Sequence, residues 1–71
     1  MDMRRVVARN VKRIRLEKGL TQEALCEKSG FSQQYVSGIE TGVRNPSIVV
    51  LYELAVALGV PLEELIRTGK K

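Results

Sequence analysis

Histidine is absent from the 71 residues, and cysteine occurs once, as Cys26. The first absence removes the commonest metal ligand and the commonest general base. The second excludes an internal disulfide and a cysteine-based zinc site, so Cys26 is expected as a small core residue. No metal and no cofactor is expected. The chain also lacks a phosphate-cradling glycine loop, a nucleophile–base pair and a ligand cluster, so no enzyme activity is expected. No stretch approaches the ~20 apolar residues of a membrane span. The opening MDMRRVVARN lacks the continuous apolar run of a signal peptide. Repeats and low-complexity segments are missing as well. The expectation is a soluble, cytoplasmic protein.

What is present is near the globular average: 44% hydrophobic and 28% charged residues, which argues against disorder. Residues 1–71 are read as a single small domain. A chain of roughly 60 residues buries only about 60% of its unfolded surface, so association would help it. The net charge of +4 suits a polyanionic partner. Its distribution is uneven: residues 1–20 hold seven Lys or Arg against two acids, whereas residues 46–71 hold three of each.

Residues 3–18 read as a helix with Met3, Val7, Val11 and Ile14 on one stripe and Arg5, Arg9, Lys12 and Arg13 directed away. A basic amphipathic helix can also mark a membrane surface, but this narrow stripe is needed for the core of so small a domain. Arg15 lies on the border of the stripe and should be partly enclosed. Gly19 ends the helix, with Leu20 as an anchor in the link. Thr21 caps a second helix, Gln22 to Lys28. The link Ser29-Gly30-Phe31 has the length and glycine of a helix-turn-helix corner.

Residues 32–41 form the informative stretch. Ser32 is a fitting N-cap and Gly42 a fitting residue past the C-terminus. At about 100° per residue, Tyr35, Val36 and Ile39 share one face with Glu40 at its edge. The opposite face carries Gln33, Gln34, Ser37, Gly38 and Thr41. A merely solvated face is usually rich in Lys and Glu. This one is uncharged and includes an exposed mid-helix glycine, at a cost of about 1 kcal/mol relative to alanine. Glutamine amides donate and accept together, which matches the N6/N7 edge of adenine in a DNA major groove.

After the turn at Asn45-Pro46, Ser47 caps residues 48–58, where Leu51, Leu54, Ala55 and Leu58 form a core stripe. Val49, Tyr52 and Val56 form a second apolar stripe that calls for a second partner. Pro61 opens a last short helix with Leu62, Leu65 and Ile66 apolar, and the tail TGKK is expected to fray.

The run GLTQEALCEKSGFSQQYVSGIETGVRNPS, followed by LYELAVALGVPLEEL, closely resembles the helix-turn-helix domain of phage repressors and Cro and their Xre-type relatives. The resemblance covers about Val7 to Leu65. The segment YVSGIETGVRNPS is also similar to the controller proteins of restriction–modification genes. The resemblance implies an all-α, five-helix repressor-like bundle that binds double-stranded DNA as a symmetric dimer, with its recognition helix in the major groove. Matched by position, Gln33, Gln34 and Tyr35 fall where the family reads bases, and Ser37 could reach them. Thr21 and Gln22 fall where the family grips a phosphate, and Arg44 and Asn45 fall in the loop that meets the neighbouring backbone. Ser32 and Thr41 are further phosphate candidates, although many relatives carry arginine where this chain has Thr41. Gly38 lacks a side chain that some relatives aim at the groove. Arg15 and Glu40 fall on a structural ion pair of the family.

The resulting expectation is a sequence-specific regulator of transcription, a homodimer on a palindromic operator. Its dimer interface is placed at about residues 48–67, through Val49, Tyr52, Val56, Leu62 and Ile66. No membrane partner and no small-molecule effector is expected. The rivals are an antitoxin or restriction–modification controller within the class, and a protein-interaction module of the same fold outside it.

Overall fold

Asp2, Thr21, Ser32 and Ser47 each lend a side-chain oxygen to a backbone N–H of the turn that follows, and these four caps start four helices. The computed structural model describes residues 2–68, and all regular structure there is helical. Its elements are α1 (Met3–Glu17), α2 (Gln22–Ser29), α3 (Gln33–Glu40), α4 (Ile48–Leu58) and α5 (Glu63–Ile66). Asp2 accepts from Arg4 N–H at 3.0 Å, Thr21 from Ala24 at 3.0 Å, Ser32 from Tyr35 at 3.1 Å and Ser47 from Val50 at 3.2 Å. Gly30 and Gly59 end α2 and α4 in the left-handed region, at φ 82° and 73°, which costs glycine little. The β-branched opening Ile48-Val49-Val50 is helical, because the leucine stripe behind it fixes the register against the core.

Val11, Leu25, Val36, Leu54 and Leu65, one from each helix, are all at 0% exposure. The five helices therefore converge on a common apolar centre, completed by Ile14, Ile39, Leu51 and Leu58. Burying one such side chain contributes about 1.5–3 kcal/mol. Leu20 and Phe31 pack against this core from half-buried positions.

The structure corrects the reading of α1 in two places. Met3 is 43% exposed, while Val6, Ala8 and Asn10 are buried. Helix α1 packs against both α3 and α5, so it is covered over a wider arc than one stripe, and Met3 lies in the first turn beyond that cover. Asn10 is buried because its amide does structural work: Nδ2 donates to the carbonyls of Leu65 (3.0 Å) and Arg67 (2.7 Å). Arg9 adds a bond to the Thr68 carbonyl at 2.9 Å. These bonds tie the end of a four-residue helix that has no side-chain cap of its own. The expected fraying is thus opposed at Thr68; Gly69–Lys71 lie outside the described residues.

Candidate nucleic-acid interface

Helix α3 is too short to hold itself, since isolated helices under about 12–15 residues are marginal in water. Its orientation comes from its inner face. Val36 and Ile39 are buried in the core, and Glu40 follows them with an exposure of 8%. The Glu40 carboxylate accepts from Arg15 twice, Nε to Oε2 at 2.7 Å and Nη2 to Oε1 at 3.1 Å. Gln22 Nε2 donates to Oε1 as well, at 3.0 Å. Arg15 spends a further donor on the Leu20 carbonyl at 2.7 Å. One carboxylate thereby joins α1, α2 and α3 and fixes the angle between the two helices of the turn. Both charges are almost wholly out of water, where a fork-on-fork geometry offsets part of the desolvation cost.

The corner between α2 and α3 is locked separately. Ser29 Oγ donates to the Leu25 carbonyl at 2.7 Å and accepts from Phe31 N–H at 3.3 Å. Phe31 then meets the Tyr35 ring at 5.3 Å between centroids, tilted by 52°.

On the outer face, Gln33, Gln34 and Thr41 are exposed and Ser37 is half-buried. Neither glutamine amide has a hydrogen-bond partner among the described residues, so both are free to meet a ligand. Tyr35, placed by sequence on the inner face with Val36 and Ile39, is only half-buried and lies between the two faces. The hydroxyls of Thr21 and Ser32 are engaged as caps, and Thr41 Oγ1 donates to the Gly38 carbonyl at 3.3 Å. The Gln22 amide faces Glu40 rather than solvent.

Gly38 is where the site differs most from expectation. It is half-buried, not exposed, because the Arg44 side chain lies across it. A Cβ at Gly38 would come within 2.6 Å of Arg44 Cγ, and the Arg44 guanidinium reaches the Tyr35 ring, with Cζ 5.2 Å from its centroid. Arg44 therefore belongs to the face of α3, although it starts in the following loop. The only sequence signal for this was the glycine itself, a poor helix former in mid-helix. Asn45 stays exposed in the loop.

The positive charge is concentrated in residues 1–20, which include α1 and hold seven Lys or Arg against two acids. Arg13 pairs with Glu17 at 3.2 Å and Arg4 with Asp2 at 3.4 Å. Hydrogen bonds from Arg4 hold the Asp2 carboxyl below the usual carboxylate range. Partial burial pushes the Cys26 thiol up, in keeping with a packing role. No group of three or more acidic, His or Cys side chains among the described residues could hold a metal ion. No described helix is long and apolar enough to cross a membrane.

Away from α3, a second feature stands out. Val49, Tyr52 and Val56 are 62%, 59% and 61% exposed, Ile66 is 38% exposed, and Leu62 is half-buried.

Comparison with known proteins places this geometry. The Helix-turn-helix family model matches residues 11–65. An uncharacterised helix-turn-helix transcriptional regulator, y4dJ of Sinorhizobium fredii, is 59% identical over 66 residues, 93% of this chain and 86% of that protein. The crystal structure of the restriction–modification controller protein C.AhdI from Aeromonas hydrophila superposes with a TM-score of 0.84 at 39% identity, covering 87% of this chain and 94% of that one. The controller protein C.Esp1396I, solved as a tetramer in complex with its natural 35 base-pair operator, superposes with a TM-score of 0.85 at 39% identity, covering 96% and 95%. With its five helices, its locked α2–α3 corner and its match across most of the sequence, the chain belongs to the helix-turn-helix family, in its Xre-type, repressor-like branch.

Proposed function

We propose that this chain is a sequence-specific double-stranded DNA-binding regulator of transcription, acting as a homodimer on a palindromic operator and without catalytic activity. The observation that carries the reading is the contrast within α3: an inner face clamped at Glu40, and an outer face with two unengaged glutamines. Gln33 and Gln34 read base edges in the major groove, with Tyr35 and Ser37 beside them. The neighbouring backbone is gripped at the N-terminus of α2 (Thr21, Gln22), at Ser32 and Thr41, and in the loop at Asn45, with Arg44 supplying charge. The hydroxyls already used as caps leave backbone N–H groups and the helix dipole to favour an anion there. No cofactor or small-molecule effector enters this reading, and the site of action is cytoplasmic.

Size and the apolar patch support the dimer. The described residues measure 31 Å in their longest dimension and carry one such helix. Reading two successive major grooves, about 34 Å apart, takes two copies. Val49, Tyr52 and Val56, with Leu62 and Ile66, supply a two-fold contact that would remove an apolar patch from water. The C.Esp1396I tetramer on its operator supports an assembly of this kind.

Selection of bound sites from random DNA tests the reading. It should return a palindrome with half-sites about 10–11 base pairs apart. Gln33→Ala and Gln34→Ala should each lower affinity for that site by ~1–3 kcal/mol per bidentate pair lost. Binding to random DNA should stay nearly constant, since neither side chain is charged. Wild-type preference retained by both variants would refute the assignment of α3 as the reading helix.

A further inference from the structure

Gly38 and Arg44 are only half explained by that reading. A loop cation meant for a phosphate needs no contact with the middle of α3, and a helix gains nothing from a central glycine. Their joint geometry accounts for both. A Cβ at Gly38 would stand 2.6 Å from Arg44 Cγ, 3.1 Å from Nε and 3.4 Å from Cδ. The first distance is shorter than real Cβ atoms show, so a side chain at 38 forces the arginine stem to shift. The backbone serves the same end: the Gly38 carbonyl accepts from Val43 N–H at 2.9 Å and Arg44 N–H at 3.1 Å, which folds the loop back. The guanidinium lies 5.2 Å from the centre of the Tyr35 ring, and Tyr35 is braced by Phe31.

We infer that Arg44 reads a base rather than the sugar–phosphate backbone: laid across Gly38, it gives the α3 face the side chain that position 38 lacks, and presents its guanidinium to a guanine. The inference rests on the DNA-binding reading above. Around α3, Gly38 is about 40° from Gln34 and about 60° from Tyr35, so the stem of Arg44 runs beside a residue already assigned to base reading. Its planar fork of donors fits the O6 and N7 acceptors of guanine, with a rigidity that lysine's flexible point charge does not share. The contact with the Tyr35 face and the confinement over Gly38 restrain the side chain before binding, which lowers the ordering cost at the interface. Gly38 and Tyr35 are positioning residues in this scheme. Each half-site then contains a G·C pair adjacent to the base pair read by Gln34.

The test uses the 71-residue chain, the selected operator, and operators altered at one base pair at a time, with affinities from fluorescence anisotropy at fixed salt. Arg44→Ala should bind the operator about 5- to 100-fold more weakly and lose discrimination at one G·C position alone. Arg44→Lys should keep the salt dependence of the wild type but lose the same discrimination. Gly38→Ala should lose it too, although Arg44 is still present, and the double variant should be no worse than Arg44→Ala. Thermal melts of each variant by circular dichroism separate these losses from unfolding. The inference is overturned if Arg44→Ala weakens operator and random DNA by one common factor with every positional preference intact. It is equally overturned if folded Gly38→Ala keeps all preferences. A wild-type chain that selects no site overturns the DNA-binding reading itself, and this inference with it.

Discussion

Helices α3 and α4 each bury one face in the same core, yet they present opposite chemistry to the outside. Helix α3 exposes amides, a hydroxyl and the arm of Arg44, all of which water solvates well. Helix α4 exposes Val49, Tyr52 and Val56, which water does not. The difference is instructive because propensity explains neither face. Free of function, both would carry Lys and Glu. A polar, uncharged face fits a partner read by hydrogen bonds, and an apolar face fits a partner that excludes water. The anchoring differs in the same sense. Val36 and Ile39 of α3 are supplemented by a buried ion pair that fixes an angle. Helix α4 is held by Leu51, Leu54, Ala55 and Leu58, which supply stability with less directional control.

The comparison breaks most sharply at Glu40. Removing one partner of a buried pair leaves an uncompensated charge and costs about 3–5 kcal/mol. Glu40→Ala strands the Arg15 guanidinium and also frees the Gln22 amide. Glu63, exposed in α5, is the control, and its alanine variant should stay within about 0.5 kcal/mol of wild type. Urea titrations of the two variants decide the matter. Equal midpoints would mean that α3, like α4, is held by apolar packing alone.

The outward face of α4 gives the next largest effect, and it should appear in assembly rather than folding. Val56→Asp places a charge in the centre of the proposed two-fold contact while leaving the core residues untouched. The variant should melt near wild type, sediment as a monomer, and bind operator about 100-fold more weakly or worse, since the second half-site no longer adds its avidity. If wild type itself sediments as a monomer at micromolar concentrations, with and without operator, α4's apolar face needs another occupant.

Which parts of this were legible in the sequence depended on how local their causes are. Thr21, Ser32 and Ser47 were readable as caps because a cap needs only its own residue type and the next turn. The Arg15–Glu40 pair spans 25 residues. Even so, both positions were placed at stripe edges, where an amphipathic helix puts half-enclosed charges, and the family resemblance joined them. Asn10 was missed because its partners, the carbonyls of Leu65 and Arg67, lie 55 and 57 residues away and carry no side-chain signature. Arg44 was placed in the right loop, but its contact with Gly38 and Tyr35 was not foreseen. The loop's fold onto the Gly38 carbonyl is set by backbone hydrogen bonds, to which residue type contributes little. Gly38 was noticed as a cost, and in the structure the Arg44 side chain lies over it.

That cost is the smallest of the expected effects and separates α3 from α4 most finely. Helix α4 has no internal glycine, whereas α3 keeps Gly38 in mid-helix with φ outside the left-handed region. Alanine is therefore conformationally allowed there, and by helix propensity alone it should add about 1 kcal/mol of stability. In the wild-type background the gain is reduced, because the new Cβ evicts the Arg44 stem and its contact with Tyr35, a cation–π pair of ~0.5–1 kcal/mol at an exposed site. In an Arg44→Ala background nothing is evicted and the full gain should return. A double-mutant cycle by thermal melting should thus show Gly38→Ala raising Tm by roughly 4–8 °C without Arg44 and by less with it. Equal increments in the two backgrounds would show that Arg44 does not rest on Gly38 in solution, and the glycine of α3 would then need a different explanation.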